Sequence, residues 1–312
     1  MSHEMKMIEI TSRTNPRVKE LVRLRNGRKR RAAGVVLAEG VREVSRAVMA
    51  GLVMREIYVC ETMVGKDDAV KAGVDEILSR VMGREDGVKL FGVNREVMEK
   101  VSYVDGPEGL LAIFEAPNWG LDKLVSGAVD GEVPTEGGVY LVCVQMEKPG
   151  NVGAMVRTAA AAGVDAVIAA NTAGYPVDVL HPNAIRTSTA AVFDLPTVSA
   201  DEEEVIAWLV ENRVRILAAT PAGAVDYREA DYGKGLEADR GNRGAEGIGG
   251  GGGIAIVIGP EDRGLSNMWL EAADKYGGQR VVIPNKSGIV DSLNASNAAA
   301  VLMYEAMRQR GE

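Results

Sequence analysis

The run Val139-Tyr-Leu-Val-Cys-Val144 holds six residues without a charged or amide side chain. A strand of that composition is buried on both faces, and such strands belong to parallel sheets covered by helices. Similar runs recur at Ala166–Ala170, Ile216–Thr220, Ile254–Ile258 and Arg280–Ile283, with a weaker one at Phe193–Leu195. Between them the spacing predicts helices from Asn151 through Ala162 and at Glu202–Asn212, Ser266–Lys275 and Leu293–Gln309. Asn151 suits an N-cap and Gly163 the position just past a helix. The second half of the chain is therefore read as a parallel α/β sheet, whose ligands bind at the carboxyl ends of the strands.

The first half alternates too, on a smaller scale. Asn15-Pro16 offers a cap followed by proline at the first helical position, and Val18, Leu21 and Val22 form one apolar stripe. Strands are predicted at Val35–Ala38, Glu56–Val59, Lys89–Val93 and Leu110–Phe114. Helices are predicted at Val41–Ala50, Val70–Met82 and, capped by Asn94, Arg95–Val101. Residues 118–137 contain five of the glycines and prolines that interrupt regular structure and read as a linker with a short helix. The expected organisation is a small α/β domain over 1–117, a linker over 118–137 and a second domain over 138–312. Gly233–Gly253, which ends in five glycines, reads as a flexible loop.

Composition removes several function classes. At 312 residues and 46% apolar the chain can bury two cores. No stretch approaches the ~18 apolar residues of a membrane span. The first ten residues carry Glu4, Lys6 and Glu9 and no apolar core, so no secretory signal is expected. The two cysteines, Cys60 and Cys143, are too few for a disulfide framework, and a reducing, cytoplasmic setting follows. Only His3 and His181 are available as imidazoles, so chemistry without histidine is expected, and no metal-ligand spacing is present.

The net charge of −8 hides an asymmetry: the first 59 residues hold 13 basic and 6 acidic side chains. Nine of the basic ones fall in Thr11–Arg31, with Glu20 the one acid there. A concentrated basic segment on an acidic protein marks either a polyanion contact or a solvated helix face.

Three strand ends carry polar loops. The first, Gln145 to Thr158, turns into a helix and aims backbone N–H groups outward, with Arg157 two turns in. The second is Gly259-Pro-Glu-Asp-Arg-Gly264-Leu-Ser266, with Glu261 held between glycines directly after a buried strand. The third, Val282 to Asn297, places Ser292, Asn294, Ser296 and Asn297 at the start of an alanine-rich helix, more polar groups than capping by Asp291 or Ser292 requires. Together they predict one pocket. Gly247-Ile-Gly249-Gly-Gly-Gly252 fits G-x-G-x-x-G but precedes a strand, so it lacks the geometry of a dinucleotide fingerprint, and no P-loop motif is present.

These loops, in this order, resemble the three signature motifs of the SpoU/TrmH branch of the SPOUT methyltransferases. Asn151-Val-Gly153-Ala-Met-Val-Arg157-Thr158-Ala159 is similar to the first, Gly259 to Ser266 to the second, and Ile283-Pro284 through Ser292-Leu293-Asn294 to the third. Ser12 to Lys19, Ala38-Glu39-Gly40-Val-Arg42 and Pro107 to Ala112 resemble the ribosomal-protein-like substrate-binding domain of many members. Departures are Asn297 in place of an aliphatic residue, Asp291 in place of Glu, Ala190 in place of Gly and the longer glycine-rich insertion.

The resemblance implies a C-terminal SPOUT domain with a deep trefoil knot and a homodimer. It implies transfer of a methyl group from S-adenosylmethionine to a ribose 2′-hydroxyl in RNA, with large-subunit ribosomal RNA the first expectation and transfer RNA the second. Arg157 would act at the hydroxyl, with Asn151, Glu261, Ser292 and Asn294 orienting it, the ribose or the cofactor. Thr220, Pro221, Gly259, Ile283 and Leu293 would hold the cofactor, and Arg13, Arg17, Arg23, Arg28, Lys29, Arg30, Arg31 and Arg42 would contact RNA phosphates. Two other classes stay open. A non-catalytic RNA-binding factor is opposed by the intact Asn151, Arg157, Glu261 and Asn294, and a nicotinamide-dependent oxidoreductase by the missing glycine fingerprint.

Overall fold

The computed structural model describes residues 7–82, 87–124, 137–146, 148–233, 253–287, 289 and 292–311. The chain forms two compact units, Met1–Asn118 with Leu180–Asp194, and Trp119–Val179 with Leu195–Glu312.

In the first unit the elements run β1 (Ile8–Ile10), α1 (Pro16–Arg23), α2 (Gly27–Ala33), β2 (Val35–Glu39), α3 (Val41–Met49), β3 (Met54–Val59), α4 (Glu61–Val64), α5 (Asp68–Met82), β4 (Lys89–Val93), α6 (Arg95–Val101) and β5 (Leu110–Glu115). The strands order as β1-β4-β3-β5-β2, with β1, β4 and β3 parallel and β5 antiparallel to both β3 and β2. Val18 and Leu21 of α1 pack with Val97, Met98 and Val101 of α6 in one core. Asn15 caps α1, its Oδ1 accepting from the Arg17 N–H at 2.8 Å, and Asn94 caps α6 through the Val97 N–H at 3.0 Å. The basic segment is two helices, not one: Asn26 opens α2 by accepting from the Arg28 and Lys29 N–H groups.

The second unit continues with β6 (Val139–Val144), α7 (Pro149–Ala162) and β7 (Ala166–Asn171); α8 (Pro182–Thr187) falls in the segment that belongs to the first unit. Then come β8 (Thr197–Asp201), α9 (Glu202–Glu211), β9 (Arg215–Ala219), β10 (Val225–Asp226), β11 (Ile254–Ile258), α10 (Asn267–Lys275), β12 (Gln279–Val282) and α11 (Ala295–Arg310). Seven strands order as β10-β12-β9-β11-β6-β7-β8, and every neighbouring pair is parallel. All residues of β6, β7 and β11 are buried, as apolar runs covered on both faces require. The loops after β6, β9, β11 and β12 therefore leave the same edge of one sheet.

Three expectations need correction. Helix α7 begins at Pro149, because proline presets the helical φ; Lys148 occupies the N-cap and Asn151 lies inside the first turn. Gly163 does close α7, in the left-handed region at φ 82°. Ala191–Phe193 forms a 3-10 turn instead of a strand, since Thr189 and Ala190 both take positive φ, 52° and 66°, and reverse the chain; ladder pairing starts at the Pro196 carbonyl, which accepts from the Val167 N–H. Ala190 thus holds, without being glycine, a backbone conformation that favours glycine. Finally, residues 180–194, read from the sequence as part of the second domain, fold with the first unit: Arg46 donates to the Thr189 carbonyl, and the His181 and Tyr103 rings meet edge-on at 5.1 Å.

In the predicted linker, Leu121 and Leu124 pack against the core of the second unit, and 125–136 lie outside the described residues. Most of the predicted Gly233–Gly253 loop, including the 247–252 glycine motif, also lies outside them, as does Asp291. Among the described residues, no helix is long and apolar enough to cross a membrane.

Candidate functional site

The loops after β9 and β12 border an open cleft of about 380 Å³, within the usual range for small-molecule sites. Thr220, Pro221, Ile283 and Leu293, predicted to hold a cofactor, all line it, as does Ser292. The Thr220 N–H donates to the Val281 carbonyl at 3.0 Å, and this bond fixes the loop after β9 against β12. Ala298 and Leu302 line the cleft from α11, and Asn285 adds an amide. Asn285 falls inside the third loop, whereas Ala298 and Leu302 have no motif of their own and only their spacing on an alanine-rich helix places them there.

Gly259 does not line the cleft. A Cβ there would stand 2.6 Å from the Gly264 carbonyl carbon and 2.7 Å from the Leu265 nitrogen, so glycine lets the 259–266 loop fold back on itself. That turn presents Glu261. Its Oε1 accepts from Asn294 Nδ2 at 2.5 Å and from the Ala295 N–H at 3.1 Å. The carboxylate thus sits at the N-terminus of α11, where the helix dipole favours negative charge. Asn294 is itself the cap, its Oδ1 accepting from the Ser296 N–H at 3.0 Å and from Ser296 Oγ at 2.5 Å. The second and third loops are joined through a residue pair 33 positions apart.

Arg157 is not part of that pair. It projects exposed from α7, and among the described residues its guanidinium makes no hydrogen bond or ion pair. Asn151 is half-buried in the first turn of the same helix. One chain therefore supplies the cleft and the Glu261–Asn294 clasp, with Arg157 apart from both.

The predicted phosphate contacts divide sharply. Arg13, Arg23, Arg28, Lys29 and Arg31 are exposed. Arg30 is not: it is 2% exposed, and its Nη1 donates to the Leu24 and Arg25 carbonyls at 2.8 and 2.7 Å. Arg17 is taken up by the buried Glu56, donating Nε to its carboxylate at 2.9 Å and to the Tyr58 hydroxyl at 3.0 Å. Both are structural residues, because removing either cation strands buried acceptors. Arg42 pairs with the buried Glu43 at 2.6 Å while remaining half-exposed.

His181 caps α8, its Nδ1 accepting from the Asn183 N–H at 3.1 Å. Cys60 and Cys143 are buried free thiols, and burial pushes Cys143 up to about 12. Among the described residues, no group of three His, Cys, Asp or Glu side chains could hold a metal ion.

An all-parallel sheet with a ligand-sized cleft and a polar clasp at its strand carboxyl ends defines an α/β protein built to bind a small cofactor there. Residues 138–304 match the SpoU rRNA Methylase family, and residues 15–112 match the MRM3-like substrate binding domain. The chain belongs to the SpoU rRNA methylase family. It is 30% identical over 289 residues to the 23S rRNA (uridine(2479)-2′-O)-methyltransferase of Streptomyces viridochromogenes, across 92% of this chain and 87% of that one. A solved RNA 2′-O ribose methyltransferase matches with a TM-score of 0.71 at 35% identity, covering 98% of this chain and all of the other. The AdoMet-bound rRNA methyltransferase of Sinorhizobium meliloti matches with a TM-score of 0.75 at 26% identity, covering 97% and 98%.

Proposed function

We propose that this protein methylates a ribose 2′-hydroxyl of large-subunit ribosomal RNA, using S-adenosylmethionine, as a homodimer. The observation that carries the reading is the clasp between Glu261 and Asn294 beside the cleft. The cleft suits the cofactor: it has room for a nucleoside-sized ligand, an apolar lining from Pro221, Ile283, Leu293 and Leu302, and polar groups at Thr220 and Ser292.

S-adenosylmethionine, when bound, supplies a methyl group on a sulfonium. The chain's own residues have three tasks. Thr220, Pro221, Ile283 and Leu293 hold the cofactor at the strand ends. Glu261 and Asn294 fix the start of α11 and the loop that borders the cleft. Arg157 holds the 2′-oxygen and a neighbouring phosphate; with a pKa above ~12 it stays protonated, so it stabilises charge developing on oxygen and is no base. Because Arg157 is exposed and, among the described residues of its own chain, without a partner, a second copy is the natural recipient of its guanidinium, which is the support for a dimer. The trefoil knot expected over 138–312 belongs to the same reading, as does a cytoplasmic setting, in keeping with two buried free thiols.

Calorimetric titration with S-adenosylmethionine tests the cofactor site. One site per chain is expected, and Ser292→Trp, which fills an exposed position on the cleft wall, is expected to weaken it by about tenfold or more. Undiminished binding by that variant would place the cofactor elsewhere.

A further inference from the structure

The geometry points to Gln145 as a positioning residue, a two-sided clamp that sets the loop leading into α7, the helix of Asn151 and Arg157, against the loop carrying Glu261. It rests on the proposed methyl transfer and adds residues outside the signature motifs.

Gln145 directly follows β6 and takes a positive φ of 48° without being glycine. Its N–H donates to the Ala170 carbonyl at 2.8 Å, which ties the strained residue to β7. The side chain reaches two ways. Nε2 donates to Glu202 Oε1 at 2.5 Å, and Oε1 accepts from Arg263 Nη2 at 3.0 Å. Glu202 is itself buried, its Oε2 accepting from the Trp269 indole N–H at 2.7 Å. The amide has one orientation that works. A carboxylate only accepts and a guanidinium only donates, so Nε2 must face Glu202 and Oε1 must face Arg263.

The string therefore runs from a buried indole through Glu202 and Gln145 to Arg263. Two residues before Arg263, Glu261 holds Asn294 and the Ala295 N–H. Loops after β6, β11 and β12 are thus referenced to one anchor in the core. No residue of 145–146, 148–150 or 259–266 lines the cofactor cleft, so the clamp bears on the relative placement of the loops and not on cofactor contact.

The test is a polarity swap. Gln145→Ala is expected to slow single-turnover methyl transfer on the order of 10²-fold, the usual penalty for misplacing reacting groups, with S-adenosylmethionine affinity within about threefold of wild type. Glu202→Gln alone sets two amide donors face to face, and Gln145→Glu alone sets two carboxylates face to face; each is expected to slow transfer. The double variant Gln145→Glu with Glu202→Gln restores every donor to an acceptor: residue 202 still accepts from Trp269 and now donates to 145, and 145 still accepts from Arg263. Its rate is expected to recover to within about threefold of wild type, the non-additivity of residues in one network. Hydrogen exchange supplies a readout apart from catalysis: amides of 264–266 are expected to exchange faster in both single variants and to regain protection in the double. The clamp is overturned if Gln145→Ala keeps the wild-type rate and loop protection, or if the double variant is no better than its worse parent. Should the wild-type protein methylate no RNA, the functional reading fails, and the exchange measurements alone decide the clamp.

Discussion

Arg157→Ala is expected to lower methyl transfer by about 10²- to 10³-fold, the effect of removing one donor aimed at developing oxyanion charge. Cofactor affinity is expected to stay near wild type, because Arg157 does not line the cleft. The structure adds a stricter form of this prediction. The guanidinium is exposed and without a partner among the described residues of its own chain, whereas Ser292 lies on the cleft wall. If a second copy receives Arg157, then mixing Arg157→Ala with Ser292→Trp, at a cofactor concentration low enough that each alone is strongly impaired, builds hybrid dimers holding one intact site. Single-turnover assays of the remixed pair are expected to exceed the summed activity of the two variants assayed alone. No recovery in demonstrated hybrid dimers would return Arg157 to the site of its own chain. Full activity of Arg157→Ala would remove it from the reaction.

The second large effect separates exposed from buried arginines in one seven-residue helix. Reversing Arg28, Lys29 and Arg31 to Glu is expected to weaken RNA binding by roughly 10²-fold at low salt. It should also make the salt dependence shallower by about two, at roughly 0.7 per phosphate contact to a single strand. Folding stability is expected to change little, since all three are solvent-exposed. Arg30→Met is expected to do the reverse. It leaves the Leu24 and Arg25 carbonyls without their donor in a buried setting, at a cost of about 2–4 kcal/mol, with the salt slope of the residual folded protein unchanged. Denaturant unfolding and salt-titrated filter binding on the wild type, the triple variant and Arg30→Met read both outcomes. An unchanged slope in the triple variant would mean that α2 does not touch RNA.

Much of this fold is legible in sequence where local signals decide it. β6, β11, β4 and α6 have the boundaries that apolar runs and an asparagine cap dictate. The reading stops where partners lie far along the chain. β1 and β10 are three and two residues long and exist only through parallel pairing with β4 and β12. Arg17 and Arg30 look like phosphate ligands in a basic run, but Glu56 is 39 residues from Arg17, and the chain turn that buries Arg30 is invisible to composition. The same limit applies to the site. Motif spacing brings out Glu261, Asn294 and the cofactor-loop residues. It gives no signal for Glu202 and Trp269, whose bond spans 67 positions. Gln145 offers a weak one, a polar residue ending an all-apolar strand. Asn151, an apparent cap, lies inside α7 because Pro149 starts the helix earlier.

The most direct measurement is of the product itself. Purified protein is incubated with methyl-labelled S-adenosylmethionine and, separately, unmodified large-subunit ribosomal RNA and transfer RNA, then the RNA is hydrolysed with alkali. A 2′-O-methyl ribose blocks cleavage at its own phosphate, so label in a single alkali-resistant dinucleotide from the ribosomal RNA is the predicted result. Label on a base, label confined to transfer RNA, or no transfer by protein that binds the cofactor would contradict it.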